Sequence, residues 1–348
     1  MKPFVSICTP TYNRKPFIPH LIKCILSQDY PLDRIEWVIV DDGIDKIKDL
    51  VIDLPFVNYI SFDEQISLGK KRNIMNNNSK GDFIVYMDDD DYYPTDRISH
   101  AIETLQKNSQ YLIAGSSEMH CYFPDLKKIY QFGPYTVNHS TAATFAFRKE
   151  LIKYTSFSEE ASLAEEKHFL KDYSIPLIQL NTTKTILVLS HIHNTFDKKK
   201  LLAKPNPTIK ESTYQLNDFI KDDSLKQFYT EELNNVLSKY EYGDIKFKPN
   251  VLKQTNDILQ KRSDMMENAF QQNMGKLTQD LQNKDALIKK LFEQNQQLKN
   301  QISELNKEKE EYERKNVIQT LITDEIKVEE TKKKKNKNKK QLLNQNHS

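Results

Sequence analysis

Four aspartates in succession, Asp88 to Asp91, follow the apolar run Phe83-Ile84-Val85-Tyr86-Met87 and precede Tyr92-Tyr93-Pro94. Adjacent carboxylates raise one another's pKa, so such a run is costly unless solvent or a cation neutralises it. Hard oxygen donors suit Mg2+ or Mn2+, and Mg2+ takes one or two protein carboxylates and fills its remaining positions with phosphate oxygens and water. The run therefore points to a divalent cation and a phosphorylated substrate. From charge and spacing alone a solvated acidic turn accounts for it equally well. An EF-hand calcium loop does not, because its sixth position would be Tyr93 instead of Gly and its twelfth Ser99 instead of Glu.

Four further segments carry polar groups suited to the same chemistry. Thr9-Pro10-Thr11-Tyr12-Asn13-Arg14 and Asp41-Asp42-Gly43 each end an apolar run. Asp and Asn can accept from a base N–H or a ribose hydroxyl, and Tyr12 offers a face for stacking; each is equally an ordinary cap or turn residue. Gly69-Lys70-Lys71-Arg72-Asn73 opens a helix, where basic residues beside free backbone N–H groups suit phosphate or simply form a charged face. Glu165-Glu166 begins another. One of those carboxylates could act as a general base on an acceptor hydroxyl, or both could be glutamates favoured in a first helical turn. His191-Ile192-His193 follows a strand, so alternation turns the two imidazoles to opposite faces and at most one can serve as a third metal ligand.

The elements that position these residues alternate. Strands are expected at Phe4 to Cys8, Trp37 to Val40, Val57 to Phe62, Phe83 to Met87, Tyr111 to Ala114, Ala143 to Phe147 and Thr185 to Ser190. Between them helices are expected at Pro16 to Ser27, Leu68 to Asn77, Asp96 to Lys107 and Leu163 to Asp172, with Met119 to Phe123 and Lys128 to Phe132 as an antiparallel excursion about Pro124-Asp125. This is the pattern of an α/β, mostly parallel sheet flanked by helices, in which ligands bind beyond the carboxyl ends of the strands. The aspartate run, Tyr12 and Asp42 then share one edge.

Residues 1–200 form this domain, and 201–256, with Pro205, Pro207 and Pro249, read as a charged helical connector. From 257 to 316 a 3.5-residue period sets Met274, Leu277, Leu281, Ile288, Leu291, Asn295, Leu298, Ile302 and Leu305 at a and d positions, interrupted by Lys284. That predicts a C-terminal coiled coil, and Asn at an a position favours a parallel homodimer. The alternative is a lone charged helix. Residues 317–348 read as a disordered Lys/Asn-rich tail. Its seven lysines between Thr331 and Gln341 leave about −5 for the rest of a chain of net charge +2, which excludes a general nucleic-acid-binding body. Cys8, Cys24 and Cys121 match no metal pattern and suit a reducing compartment. With neither a signal peptide nor an 18-residue apolar run, a cytoplasmic protein without a transmembrane segment is expected.

Taken together, these motifs resemble the family 2 glycosyltransferases of GT-A fold. Residues 3–14 resemble the family's opening strand and Pro-x-Tyr-Asn turn, and Val38 to Gly43 its second strand with paired aspartates. Leu68 to Asn73 resembles the Gly-x-x-x-Arg-Asn run, Gly81 to Asp91 the Asp-x-Asp strand, and Ala164 to Phe169 the base motif. The resemblance spans about residues 3–197. It implies a Rossmann-like GT-A domain, a nucleoside-diphosphate-sugar donor, a glycan or protein acceptor, and Mn2+ or Mg2+ as cofactor. Pro10, Tyr12, Asp42, Arg72, Asp88 and Asp89 would bind the donor, Asp90 and His193 would hold the metal, and Glu166 would deprotonate the acceptor in an inverting displacement. Ile44 departs from the small polar residue usual after Asp-Asp-Gly. Glu replaces the usual Asp at the base, which leaves Glu165 and Glu166 both eligible. A catalytically inactive scaffold acting through the coiled coil and basic tail is the rival reading. A metal-dependent phosphohydrolase is disfavoured, because its nucleophilic aspartate belongs at the first strand, where this chain has Cys8-Thr9-Pro10.

Overall fold

The computed structural model describes residues 1–194, 198–202 and 206–344. Lys204 and Pro205 of the expected connector and residues 345–348 of the expected tail lie outside the described residues. Two compact units divide the chain at Lys261.

The first unit is built on β1 (Val5–Thr11), β2 (Ile35–Asp41), β3 (Val57–Ser61) and β4 (Phe83–Tyr86), paired in parallel in the order β3-β2-β1-β4. Every residue of β1, β2 and β4 is buried, the pattern of strands covered on both faces. Helices Ile18–Leu26 and Arg97–Lys107 contribute Leu21, Ile25, Ile98 and Leu105 to the core that contains Val5, Trp37 and Val85. Helix Leu68–Asn78 brings Met75 to a second core with Cys8, Val38 and Ile84. The chain continues through β5 (Ile113–Gly115), β6 (Met119–Phe123), β7 (Lys128–Phe132), β8 (Ala146–Arg148), β9 (Ile178–Gln179), β10 (Leu187–Leu189) and β11 (Ile209–Glu211). β8 enters antiparallel between β4 and β5, completing a seven-stranded sheet β3-β2-β1-β4-β8-β5-β9. β6 and β7 form the expected hairpin and join β10 and β11 in a second sheet, β10-β6-β7-β11. The α/β, Rossmann-like sheet flanked by helices is thus the architecture expected.

Three elements differ from expectation. The helix expected from Leu163 to Asp172 is a single turn, Glu166–Phe169, because Ala164, Lys171, Asp172 and Tyr173 all take positive φ. Residues 206–256, within the expected connector, pack as part of the first unit, with Phe219, Leu225, Phe228, Tyr229, Leu233 and Leu237 buried in the same core as Trp37. The C-terminal helix is one element, Pro249–Asn344, and runs through residues 317–344 where disorder was expected. Lys, Glu and Gln are good helix formers, and pairs such as Lys315–Glu311 at 2.9 Å support the exposed surface. Along it the apolar a and d side chains, among them Leu277, Leu281, Ile288, Leu291, Leu298 and Leu305, are exposed. Among the described residues no helix is long and apolar enough to cross a membrane. The three cysteines are buried free thiols, and burial pushes each up to about 12.

Candidate active site

Strands β1, β2 and β4 end at one edge of the sheet, and a cavity of about 700 Å3 opens there, lined in part by Pro10, Tyr12, Arg14, Lys71, Lys248 and Asp88 to Asp90. The turn after β1 is held by Asn13, whose backbone is left-handed (φ 52°), a conformation Asn tolerates. Its Oδ1 accepts from Ile44 N–H at 2.7 Å, and its Nδ2 donates to the Tyr242 carbonyl at 2.9 Å. Gly43 is required by this closure, because a Cβ there would lie 2.7 Å from the Asn13 nitrogen. Asp42 forms a buried ion pair with Lys71, whose Nζ also donates to the Thr11 carbonyl at 3.1 Å. Burial pushes Asp42 up and Lys71 down from their ordinary pKa values, each against the pull of the other. The Tyr12 hydroxyl donates to the Phe247 carbonyl at 2.9 Å, and the ammonium groups of Lys71 and Lys248 stand 5.4 and 5.7 Å from its ring centroid.

The four aspartates have four environments. Asp88 accepts from Arg72 at 3.3 Å. Asp89 is buried 3.9 Å from Arg14 Nε, and burial together with the neighbouring Asp90 pushes its pKa up to about 7. Burial also opposes ionisation of Asp90, but a hydrogen bond from His191 and the guanidinium of Arg14 at 3.5 Å outweigh it and hold the carboxyl below the usual carboxylate range. Asp91 accepts from Leu189 N–H at 3.0 Å, while its carbonyl accepts from the Tyr229 hydroxyl at 3.3 Å. It fastens the acidic loop to β10 and to the segment after residue 200.

The histidine expected at the metal, His193, lies two residues beyond the one whose ring meets the acidic run. His191, not His193, meets Asp90, with Nε2 3.1 Å from Oδ2. Its Nδ1 accepts from His193 N–H at 3.2 Å, which assigns the proton to Nε2; burial lowers its pKa to about 4 and keeps the ring neutral. His193 packs against Gly243, where a Cβ would come within 2.2 Å of its Nδ1, and only its backbone carbonyl reaches the site, accepting from Arg14 at 2.6 Å. β10 ends at Leu189 and both histidines sit in the turn beyond it, where only one of the two imidazoles reaches the acidic run.

Arg72 joins the acid run to the two glutamates. Its Nε donates to Glu165 at 2.8 Å and its other nitrogens to Asp88, with the guanidinium 4.6 Å from the Tyr86 ring centroid. Glu165 is therefore engaged. Glu166 beside it is half-buried, and burial with the adjacent Glu165 pushes it up to about 7. The loop before them closes on the start of helix Leu68–Asn78 through Gly69, whose N–H donates to Ala161 at 2.8 Å and where a Cβ would meet the Ser158 carbonyl at 2.0 Å. Among the described residues no three His, Cys, Asp or Glu side chains converge as a preformed metal cage. Asp88 and Asp90, hard carboxylates that both line the cavity, suit an ion that takes one or two protein ligands and fills the rest from phosphate and water.

Residues 6–158 match the model of Glycosyl transferase family 2. The match covers 153 of the 348 residues, and over them the chain is similar to that family. An uncharacterized glycosyltransferase of Haemophilus influenzae is 24% identical over 244 residues, covering 64% of this chain and 90% of that protein. The poly(ribitol-phosphate) beta-N-acetylglucosaminyltransferase TarS of Staphylococcus aureus is 29% identical over 110 residues, 30% of this chain and 19% of its own length. Among solved structures, the mannosyltransferase PcManGT of Pyrobaculum calidifontis in complex with GDP-Man and Mn2+ aligns with a TM-score of 0.45 at 16% identity, covering 67% of this chain and 71% of that one. The family match ends before Glu165, His191 and Lys248, so in this chain those residues are placed by geometry alone.

Replacing Arg72 by Met leaves the buried Glu165 and the half-buried Asp88 without their shared cation. Breaking a buried pair in this way costs about 3–5 kcal/mol. The urea midpoint of Arg72→Met should fall accordingly, with the slope of the transition unchanged.

Proposed function

We propose that this chain transfers a sugar from a nucleoside-diphosphate sugar to a hydroxyl of a glycan or protein acceptor, with inversion at the anomeric carbon and with Mn2+ or Mg2+ as cofactor. The observation that carries this reading is the unequal fate of the two glutamates. Arg72 takes Glu165 and ties it to Asp88, while Glu166 is left with a carboxyl raised to about 7, matched to general-base work near neutral pH.

In this reading Asp88 and Asp90 hold the metal, which when bound supplies Lewis-acid stabilisation of the departing diphosphate. Tyr12, Pro10 and the Asp42–Lys71 pair form the nucleoside end of the cavity, and Arg14 and Lys71 offset the charge of the donor. Bond breaking from the anomeric carbon to the diphosphate oxygen leads, so positive charge develops on the sugar as in glycoside hydrolysis. Glu166 takes the proton of the acceptor hydroxyl as its oxygen bonds to that carbon. An inactive scaffold is disfavoured, because the acidic run, the base position and their counter-charges are all filled by chemically competent residues. The exposed a and d stripe supports a homodimer, since a long helix in water gains most of its stability by burying such a face.

Incubation with UDP-, GDP- and dTDP-sugars plus Mn2+ or Mg2+, read by product mass, tests the assignment. Metal-dependent transfer or slow donor hydrolysis is expected, and neither with any donor would overturn it. Asp90→Ala should abolish that turnover. Glu166→Gln should lower kcat by about 10²–10⁴-fold with nucleoside-diphosphate affinity unchanged. In the unmodified enzyme kcat/KM should fall about tenfold per pH unit below about 7, because the base must be deprotonated to act. Light scattering should give twice the 40.9 kDa chain mass, and the pair Leu291→Lys and Leu298→Lys should return it to one.

A further inference from the structure

We propose that Lys248 binds the diphosphate of the donor, so that the donor site is completed by the segment from Tyr242 to Asp257, which lies beyond the residues matched by the family model. The inference rests on reading the cavity as a nucleoside-diphosphate-sugar site. It names a ligand contact that no motif in the chain marks.

Three hydrogen bonds bring this segment onto the turn after β1. The Tyr242, Gly243 and Phe247 carbonyls accept from Asn13 at 2.9 Å, Arg14 at 3.4 Å and the Tyr12 hydroxyl at 2.9 Å. Gly243 lies flat against the His193 ring, so the segment cannot shift without opening that contact. The first turns of the C-terminal helix are fixed from the other side: Gln254 accepts from Ser162 N–H at 2.9 Å and donates to the Glu160 carbonyl at 2.8 Å. Asn250, Val251, Gln254 and Asp257 thereby line the cavity opposite the acidic run.

Lys248 sits at the joint between these anchors. Its side chain is 7% exposed yet lines the cavity, and its ammonium lies within cation–π range of Tyr12. Asp89 and Asp90 attract it and Arg14 and Lys71 repel it, so it belongs to one cluster of three cations around two carboxylates. A purely structural counter-ion would need no opening to the cavity. An ammonium held at the cavity wall beside Arg14 and the acidic run matches a polyanionic group that enters with its own cation.

Binding of UDP, GDP and dTDP in Mn2+ by the full chain, compared with uridine, guanosine and thymidine by ligand-observed NMR, separates this role from a structural one. For the diphosphate bound best, Lys248→Met should weaken affinity by about tenfold or more. Binding of the matching nucleoside should be unchanged within about twofold, and Lys248→Arg should restore most of the loss. Lys248→Gln, smaller and still polar, is measured alongside in case the Met variant does not fold. Equal weakening of diphosphate and nucleoside, or no weakening of either, would overturn the assignment. If the unmodified chain binds no diphosphate at all, the donor reading itself fails, whereas unmodified binding that the Lys248 variants leave intact removes Lys248 alone.

Discussion

The guanidinium of Arg72 is almost wholly out of solvent and takes two carboxylates with it, Glu165 and Asp88. Three buried charges are tolerable only where hydrogen bonding and shape recover the desolvation cost, and here Tyr86 and Phe157 flank the cation while each carboxylate receives its N–H groups. The pairing ties the end of β4 to the turn that carries Glu166, two stretches more than 70 residues apart in sequence. Gly69 permits it, because the loop from Ser158 to Ala161 closes against the helix at a point where a side chain would not fit. Once Arg72 is fixed, neighbouring glutamates cease to be equivalent, and the geometry separates a carboxylate held by the guanidinium from one whose pKa is raised by burial and by its neighbour.

The same division runs through the four aspartates. A run of like charges is stable here because each member faces a different partner: Asp88 faces Arg72, Asp90 faces Arg14 and His191, and Asp91 faces the backbone of β10. Asp89 lies 3.9 Å from Arg14, and burial together with Asp90 raises its pKa to about 7. The consequence for packing is that β10, in the second sheet, is pinned to the active edge of the first through Asp91, with the bridge between Tyr92 and Leu187 beside it. His191 reaches Asp90 because of that pin.

Much of this was legible in the sequence, for identifiable reasons. Buried parallel strands read as continuous apolar runs, and all four of the parallel strands at the site were found with their ends within a few residues, which placed Tyr12, Asp42 and the aspartates on one edge. Alternation left room for one of the two histidines without saying which, since both lie past the end of a three-residue strand, and the choice of His193 came from the resemblance. The helix expected at Leu163 shrank to a turn because positive-φ residues bracket it, and nothing in the types Ala164 or Lys171 signals that conformation. The span 201–256 was read as a connector from its prolines and charges, although its apolar residues, Phe219, Phe228, Tyr229 and Leu233, are spaced too irregularly to show the face they bury.

These successes and failures share a physical cause. Carboxylates have short side chains, so to converge they must be set at the ends of adjacent strands, and that constraint writes a local motif into the chain. Lysine and arginine reach across several ångströms of flexible stem, so a cation can be delivered from almost any segment that packs nearby. Arg14 and Lys71 happen to lie inside motifs; Lys248 arrives from a stretch with no motif at all and is seated by backbone carbonyls that any sequence could supply. A motif reading of such a site therefore recovers its carboxylates, and leaves the cations to be found from packing.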